Sequence, residues 1–179
     1  MNTLETQRLF LRGWHTEDLE DFYEYCKNPH VGPAAGWEPH QGIEVSRSIL
    51  SSFIEKDEVW AIIEKETGKA IGSVGLHDDK LREFPEARML GYVLSEEYWG
   101  KGIMTEAVKA VLAHAFLERS LLIVSVFHYP FNQRSRRVIE KCGFTYEGTM
   151  RIAAKIYDGT IYDACCYSMT REEYLARQK

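Results

Sequence analysis

Residues Gly91–Ala107 read GYVLSEEYWGKGIMTEA, and the fold turns on this stretch. It opens as a strand, Ala87 to Ser95, with Gly91 in the middle, where glycine suggests a bulge or a close backbone approach. It continues as a helix with Met104, Val108, Val111, Leu112, Ala115 and Phe116 on one face. Gly100 and Gly102 stand directly before that helix, a poor way to nucleate one. A plain loop is one reading. The other is that the helix start is itself a binding group. About four N–H groups there lack an intrahelical partner, the helix dipole adds positive character, and glycines let phosphate oxygens reach the backbone. The spacing is not that of a nucleotide P-loop. It is not a Rossmann G-x-G-x-x-G either, because threonine occupies position 105.

Working outward, Leu121–Tyr129 (LLIVSVFHY) is apolar and β-branched, as a buried central strand would be. Strand, helix and strand in this order predict a right-handed crossover between parallel strands. Asn132–Phe144 (NQRSRRVIEKCGF) reads as a short helix closed by Gly143. Its Arg134, Arg136, Arg137 and Lys141, with Lys101 and Lys109, form either a basic rim or an ordinary solvated face. Upstream, Arg8–Trp14 alternates as a strand and Thr16 looks like an N-cap. Leu19, Phe22, Tyr23 and Cys26 follow at helical spacing. Asn28–Gly42 carries three prolines and reads as a long loop, with Trp37 either exposed for function or packed on the core. Ile43–Lys56 is a second helix, with Ile49, Leu50, Phe53 and Ile54 on one side. VWAIIE and AIGSVGLH form a hairpin around KETGK. The C-terminal part reads as two strands joined at Asp158–Thr160.

Composition narrows the classes. The 179 residues are 45% hydrophobic and 27% charged, with a net charge of −5. That suits one globular domain and argues against a broad nucleic-acid face. The N-terminus predicts neither a signal peptide nor a membrane span, so a cytoplasmic protein is expected. Four cysteines without a C-x-x-C pair are expected to be reduced thiols. Six histidines without H-E-x-x-H spacing give no reason to expect a metal.

Together, GYVLSEEYWGKGIMTEA and N-x-x-S-x-x-V-I-E-K-C-G-F resemble the GNAT acetyltransferase superfamily, and within it the Rim-type ribosomal-protein N-terminal acetyltransferases. The likeness spans nearly the whole chain. It implies one N-acetyltransferase domain over residues 1–179, of α/β (α+β) class. A mixed, mostly antiparallel sheet of about six to seven strands would hold a central splayed parallel pair and flanking helices. It implies acetyl-coenzyme A as co-substrate, no metal, and a monomer or homodimer. In family members the strand matching Tyr92, Val93 and Leu94 pairs with the pantetheine arm. The loop matching Trp99, Gly100, Lys101, Gly102, Ile103, Met104 and Thr105 holds the pyrophosphate. Asn132, with Arg137 and Lys141 on its helix, completes the cofactor set. A backbone N–H on the Tyr92 strand would stabilise the oxyanion, and Ser135 matches a serine proposed to protonate the departing thiolate.

The chain departs from the family pattern at several positions. Trp99 and Met104 stand where the superfamily loop often has other residues. Ile139 replaces a common acid tyrosine. Met89 replaces the Rim-type glutamate and cannot accept a proton. Glu86, His77, Asp78, His128 and Asp163 are substitutes for that base. The resemblance implies direct acetyl transfer to a primary amine, foremost a protein or peptide N-terminal α-amine such as that of a ribosomal protein. The alternatives are an aminoglycoside or polyamine acetyltransferase, or a non-catalytic acyl-coenzyme A sensor. Asn28–Gly42, with Trp37 and Glu38, and His77–Glu86 are expected to shape the acceptor pocket.

Overall fold

The computed structural model describes residues 1–178. In chain order the elements are β1 (Leu4–Glu5), β2 (Leu9–Arg12), α1 (Leu19–Cys26), α2 (Gly32–Ala35), α3 (Ile43–Lys56), β3 (Val59–Glu64), β4 (Ala70–Asp78), β5 (Ala87–Leu94), α4 (Ile103–Ala113), β6 (Ile123–His128), α5 (Gln133–Cys142), β7 (Thr145–Lys155), β8 (Ile161–Thr170) and α6 (Arg171–Ala176). The strands form one mixed sheet in the order β1-β2-β3-β4-β5-β6-β8-β7. It has eight strands rather than six to seven, because the two-residue β1 is too short to show alternation. The chain packs as two compact units, Met1–Gly75 with Tyr92–Ala107, and Leu76–Gly91 with Val108–Lys179.

In the first unit, α1 buries Leu19, Phe22, Tyr25 and Cys26 in a cluster with Trp14, Leu50, Ala61 and Ile63. The Phe22 ring stands edge-on to Trp14 at 5.0 Å and to Phe53 at 5.8 Å. Those T-shaped contacts are the favoured geometry for aromatic pairs. Three local expectations need correction. Thr16 is not an N-cap: Thr16–Asp18 is a 3-10 turn, and the Asp18 carboxylate accepts from His15 N at 2.9 Å and from Arg12 Nη1 at 2.7 Å. Burial alone would raise the Asp18 carboxyl, but those hydrogen bonds and the Arg12 charge hold it below its ordinary value. Asn28–Gly42 is not all loop, since Gly32–Ala35 makes one helical turn with proline in its first turn. Within it Trp37 is half-buried against the core cluster, the second of its two readings; Ile54, expected on the buried side of α3, is exposed.

In the second unit, the predicted α4 face is buried at Val108, Val111, Leu112, Ala115 and Phe116. The helix then widens into a π turn over His114–Glu118. β5 and β6 are parallel, as the strand–helix–strand order predicts. Their ladder comprises Ala87↔Ile123, Arg88↔Val124 and Met89↔Ser125 and ends before Gly91. β6 pairs antiparallel with β8, and β8 with β7. The C-terminal region holds an element missed in the sequence, α6. Its capping box joins Glu173 N to Thr170 Oγ1 (3.2 Å) and Thr170 N to Glu173 Oε2 (2.8 Å). The T-x-x-E signature that announces such a start is present at Thr170–Glu173.

Candidate active site

The glycine turn has the geometry its sequence suggests. Gly100 and Gly102 have φ of +76° and +75°, the left-handed region that side chains disfavour. The first α4 bond runs from Glu106 N to Gly102 O at 3.1 Å, so the amides ahead of it lie at the helix start. A Cβ on Gly100 would meet nothing within 4 Å, and one on Gly102 only Arg8 Nη2 at 3.7 Å. The room beside both glycines is open, as an incoming phosphate requires. Ile103 and Met104 are buried, which leaves their backbone amides, not their side chains, to serve a ligand. Lys101 Nζ lies 5.3 Å from the Tyr98 ring centre, a cation–π contact. Trp99 is turned inward: its indole donates to Leu94 O at 2.8 Å.

What holds the turn was not visible in the sequence. Glu106 accepts from Thr6 Oγ1 (2.6 Å), Arg8 N (2.9 Å) and Arg8 Nε (2.7 Å), and Arg8 Nη1 donates to Lys101 O (3.0 Å). Burial alone would raise the Glu106 carboxyl, yet Thr6 and Arg8 hold it below its usual value, so it is ionised at neutral pH. The link between β1 and β2 thereby clamps the turn through a pair almost a hundred residues apart in sequence.

β5 presents two surfaces. The Val93 carbonyl faces Gly72, where a Cβ would come within 2.4 Å of it. Backbone groups alternate along a strand, so those of Tyr92 point to the other edge. At Gly91 a close approach is found: an added Cβ would lie 3.2 Å from both Cδ2 and Nε2 of His77. Glycine is therefore what allows the imidazole to lie against β5 immediately before Tyr92.

The remaining base candidates have other surroundings. Asp78 is exposed and pairs with Arg88 at 3.2 Å. Glu86 is exposed, and its carbonyl receives Leu122 N at 2.9 Å. Asp163 accepts from Ile152 N at 2.8 Å, at the irregularity in the β7–β8 hairpin. His128 is buried, with Nδ1 2.8 Å from the Tyr129 carbonyl and Nε2 without a partner. The carbonyl can only accept, so Nδ1 carries the proton. The His77–Glu86 segment is tied down by Ser125 Oγ donating to Asp79 at 2.7 Å and by Arg82 bridging Asp79 and Glu147.

On α5, Asn132 Oδ1 accepts from Ser135 N at 3.1 Å and caps the helix. Ser135 is half-buried; Arg134, Arg137 and Lys141 are exposed, while Arg136 pairs with Glu140 at 2.8 Å. Ile139 is fully buried and belongs to the core. Gly143 ends the helix with φ +86°. All four cysteines are free thiols, and burial raises that of Cys142 to about 11. Among the described residues no three His, Cys, Asp or Glu side chains gather as a metal site. No helix among them is long and apolar enough to cross a membrane.

Comparison with known proteins agrees with this geometry. The acetyltransferase (GNAT) domain family matches residues 8–145. The chain is 30% identical over 173 residues to a Bacillus subtilis (strain 168) protein named as the uncharacterized N-acetyltransferase YoaA, covering 94% of this chain and 96% of that one. A GNAT-family acetyltransferase from Bacillus anthracis superposes with a TM-score of 0.87 at 24% identity, over 96% of this chain and 100% of its own. The ribosomal-protein-S5-alanine acetyltransferase from Vibrio fischeri superposes with a TM-score of 0.78 at 25% identity, over 97% and 99%. With a glycine turn opening α4, a parallel β5–β6 pair and a family match across most of its length, the chain belongs to the GNAT family of N-acetyltransferases.

Proposed function

We propose that residues 1–179 act as one N-acetyltransferase domain that passes the acetyl group of acetyl-coenzyme A directly to a peptide or protein N-terminal α-amine. The observation that carries this reading is the paired left-handed glycines at the start of α4, with open space where side chains would stand. Acetyl-coenzyme A supplies an activated thioester. The amides of the Gly100–Thr105 turn hold its pyrophosphate, with Lys101, Asn132, Arg137 and Lys141 as further contacts. The Tyr92–Leu94 backbone takes the pantetheine arm, and the Tyr92 N–H meets the charge that develops on the carbonyl oxygen. Ser135 donates the proton that the departing thiolate needs.

His77 is the base this reading selects, because it alone of the five candidates is shown against Gly91, next to Tyr92. The acceptor must be neutral to attack. A peptide α-amine titrates at about 7.7–8.0 and lysine at about 10.4, a gap of about 2.5 units or about 3.4 kcal/mol. A histidine can relieve the α-amine of its proton, whereas lysine would ask for more. Thiol release from acetyl-coenzyme A with peptide and lysine-type acceptors tests the function. Turnover should favour α-amines; cofactor binding with no turnover on any amine would indicate the acyl-coenzyme A sensor instead.

Two variants probe the parts. Ser135→Ala should lower kcat about a hundredfold, the low end of what a positioned general acid contributes, with little change in acetyl-coenzyme A affinity. The Asn132 cap uses the Ser135 amide, which alanine keeps. A wild-type rate would remove Ser135 as the acid. Arg8→Ala should weaken acetyl-coenzyme A binding about five- to tenfold in titration calorimetry, because the turn loses its clamp. Unchanged affinity would show that the turn keeps its shape without Arg8.

A further inference from the structure

The first unit contains a cavity of about 330 Å³. Its walls include Phe22, Tyr25, Trp37, Ile49, Phe53 and Val93, and they are largely apolar. Val93 brings in β5, so the cavity reaches the strand whose Tyr92 and Leu94 are assigned above to the donor. His40 stands beside Trp37, with ring centres 5.3 Å apart, and its Nδ1 is 2.7 Å from Ser46 Oγ. Burial lowers the His40 pKa, so the ring is neutral at pH 7. Glu38, exposed, is the one carboxylate in the lining.

The polar feature of the interior is Tyr25. The residue is 3% exposed, and its hydroxyl makes no hydrogen bond of regular geometry, although Ser73 and Cys26 are near enough to perturb it. A buried hydroxyl without a partner is costly, and a ligand atom that accepts from it would remove the cost. The volume sits at the lower end of the about 300–1,000 Å³ range of small-molecule sites, room for an aromatic side chain with space beside it.

We propose that this cavity receives the apolar body of the amine acceptor: an aromatic or branched side chain, preferably with an oxygen at its far end for Tyr25. Its role as the acceptor pocket rests on the acetyl transfer proposed above; its existence as a ligand site does not. Polyamines and aminoglycosides fit poorly, since their charges and hydroxyls would lose water against aromatic rings that offer few partners. Alanine and serine N-termini would leave the cavity mostly unfilled. A single methylene in an apolar pocket is worth about 10- to 200-fold in discrimination, so a whole ring should be read clearly.

The experiment compares kcat/KM for tyramine, phenethylamine, phenylalanine- and alanine-initiated dipeptide amides, spermidine and kanamycin, in the intact chain and in Val45→Trp and Tyr25→Phe. Val45 lines the cavity but is 44% exposed, so its replacement blocks the space without disturbing the core. The phenylalanine amide should exceed the alanine amide at least about tenfold, and Val45→Trp should collapse that ratio. Tyramine should exceed phenethylamine severalfold, and Tyr25→Phe should erase the difference. Equal or better rates with the alanine amide, spermidine or kanamycin overturn the proposal, as does an unchanged ratio in Val45→Trp. If no amine turns over, the transferase reading fails, and calorimetry with tyramine decides the cavity separately. Binding that Val45→Trp abolishes keeps it as a ligand site; no binding overturns it.

Discussion

Gly102→Val should raise the dissociation constant of acetyl-coenzyme A at least a hundredfold, about 2.8 kcal/mol at about 1.4 kcal/mol per decade. Two effects combine. Gly102 has φ +75°, where a β-branched residue is a steric outlier that costs about 1–3 kcal/mol. Relief of that strain would swing the amides at the start of α4 out of line. The added methyls would also fill the open space beside the turn, whose nearest protein atom to a new Cβ is Arg8 Nη2 at 3.7 Å. A matched control exists. Gly68, in the β3–β4 hairpin turn, has φ +72° and open surroundings. Gly68→Val should therefore suffer similar strain and a similar loss of Tm while binding acetyl-coenzyme A normally. Titration calorimetry on both variants separates strain from site. Wild-type affinity in Gly102→Val would dismantle the pyrophosphate assignment.

His77→Gln should lower kcat about a hundredfold or more, with little change in acetyl-coenzyme A affinity, since a positioned base contributes about 10²–10⁴-fold. Glutamine retains hydrogen-bonding atoms but cannot take the proton. The pH profile distinguishes a base from a structural residue. A histidine base works only when neutral, so the wild-type rate should fall as pH is lowered, and the variant should lack that limb. The acceptor must have an amine that stays protonated across the range, so that the base has a proton to take and the acceptor's own titration does not produce the same limb. Gly91→Val should act in the same direction, because a Cβ there stands 3.2 Å from the imidazole and displaces it. A kcat in His77→Gln within twofold of wild type, with the limb intact, would hand the base role to solvent or to another group.

These two positions show how differently the sequence spoke. Gly102 announced itself: two glycines before an amphipathic helix are a local anomaly, and the chemistry of a helix start explains it without knowledge of distant residues. His77 was one of five interchangeable candidates, because the relation that marks it out runs across strands. Gly91 suggested a bulge or a close approach; only the structure shows that what approaches is the His77 ring. The same division runs through the fold. α3 and α5, the β3–β4 hairpin and the parallel β5–β6 pair were legible from periodicity and turn residues. The short β1 was not, since two residues carry no period. α6 was overlooked although its capping box is written at Thr170–Glu173. Thr16 misled because the carboxylate two residues on, Asp18, is what ties this turn, accepting from the His15 amide and from Arg12.

By itself, then, the sequence determined the class of protein and the donor end of its chemistry. The class and the donor follow from a family resemblance carried by two motifs; the anion-binding turn rests on local physics, helix-start amides and the left-handed freedom of glycine. Only the tertiary structure decided what clamps the turn, which histidine lies against β5, and that an aromatic cavity with the buried Tyr25 in its wall reaches Val93. Each of these is a meeting of side chains far apart in the chain, Arg8 with Glu106, His77 with Gly91, Phe22 with Phe53. Such meetings are created by packing, which no local pattern encodes.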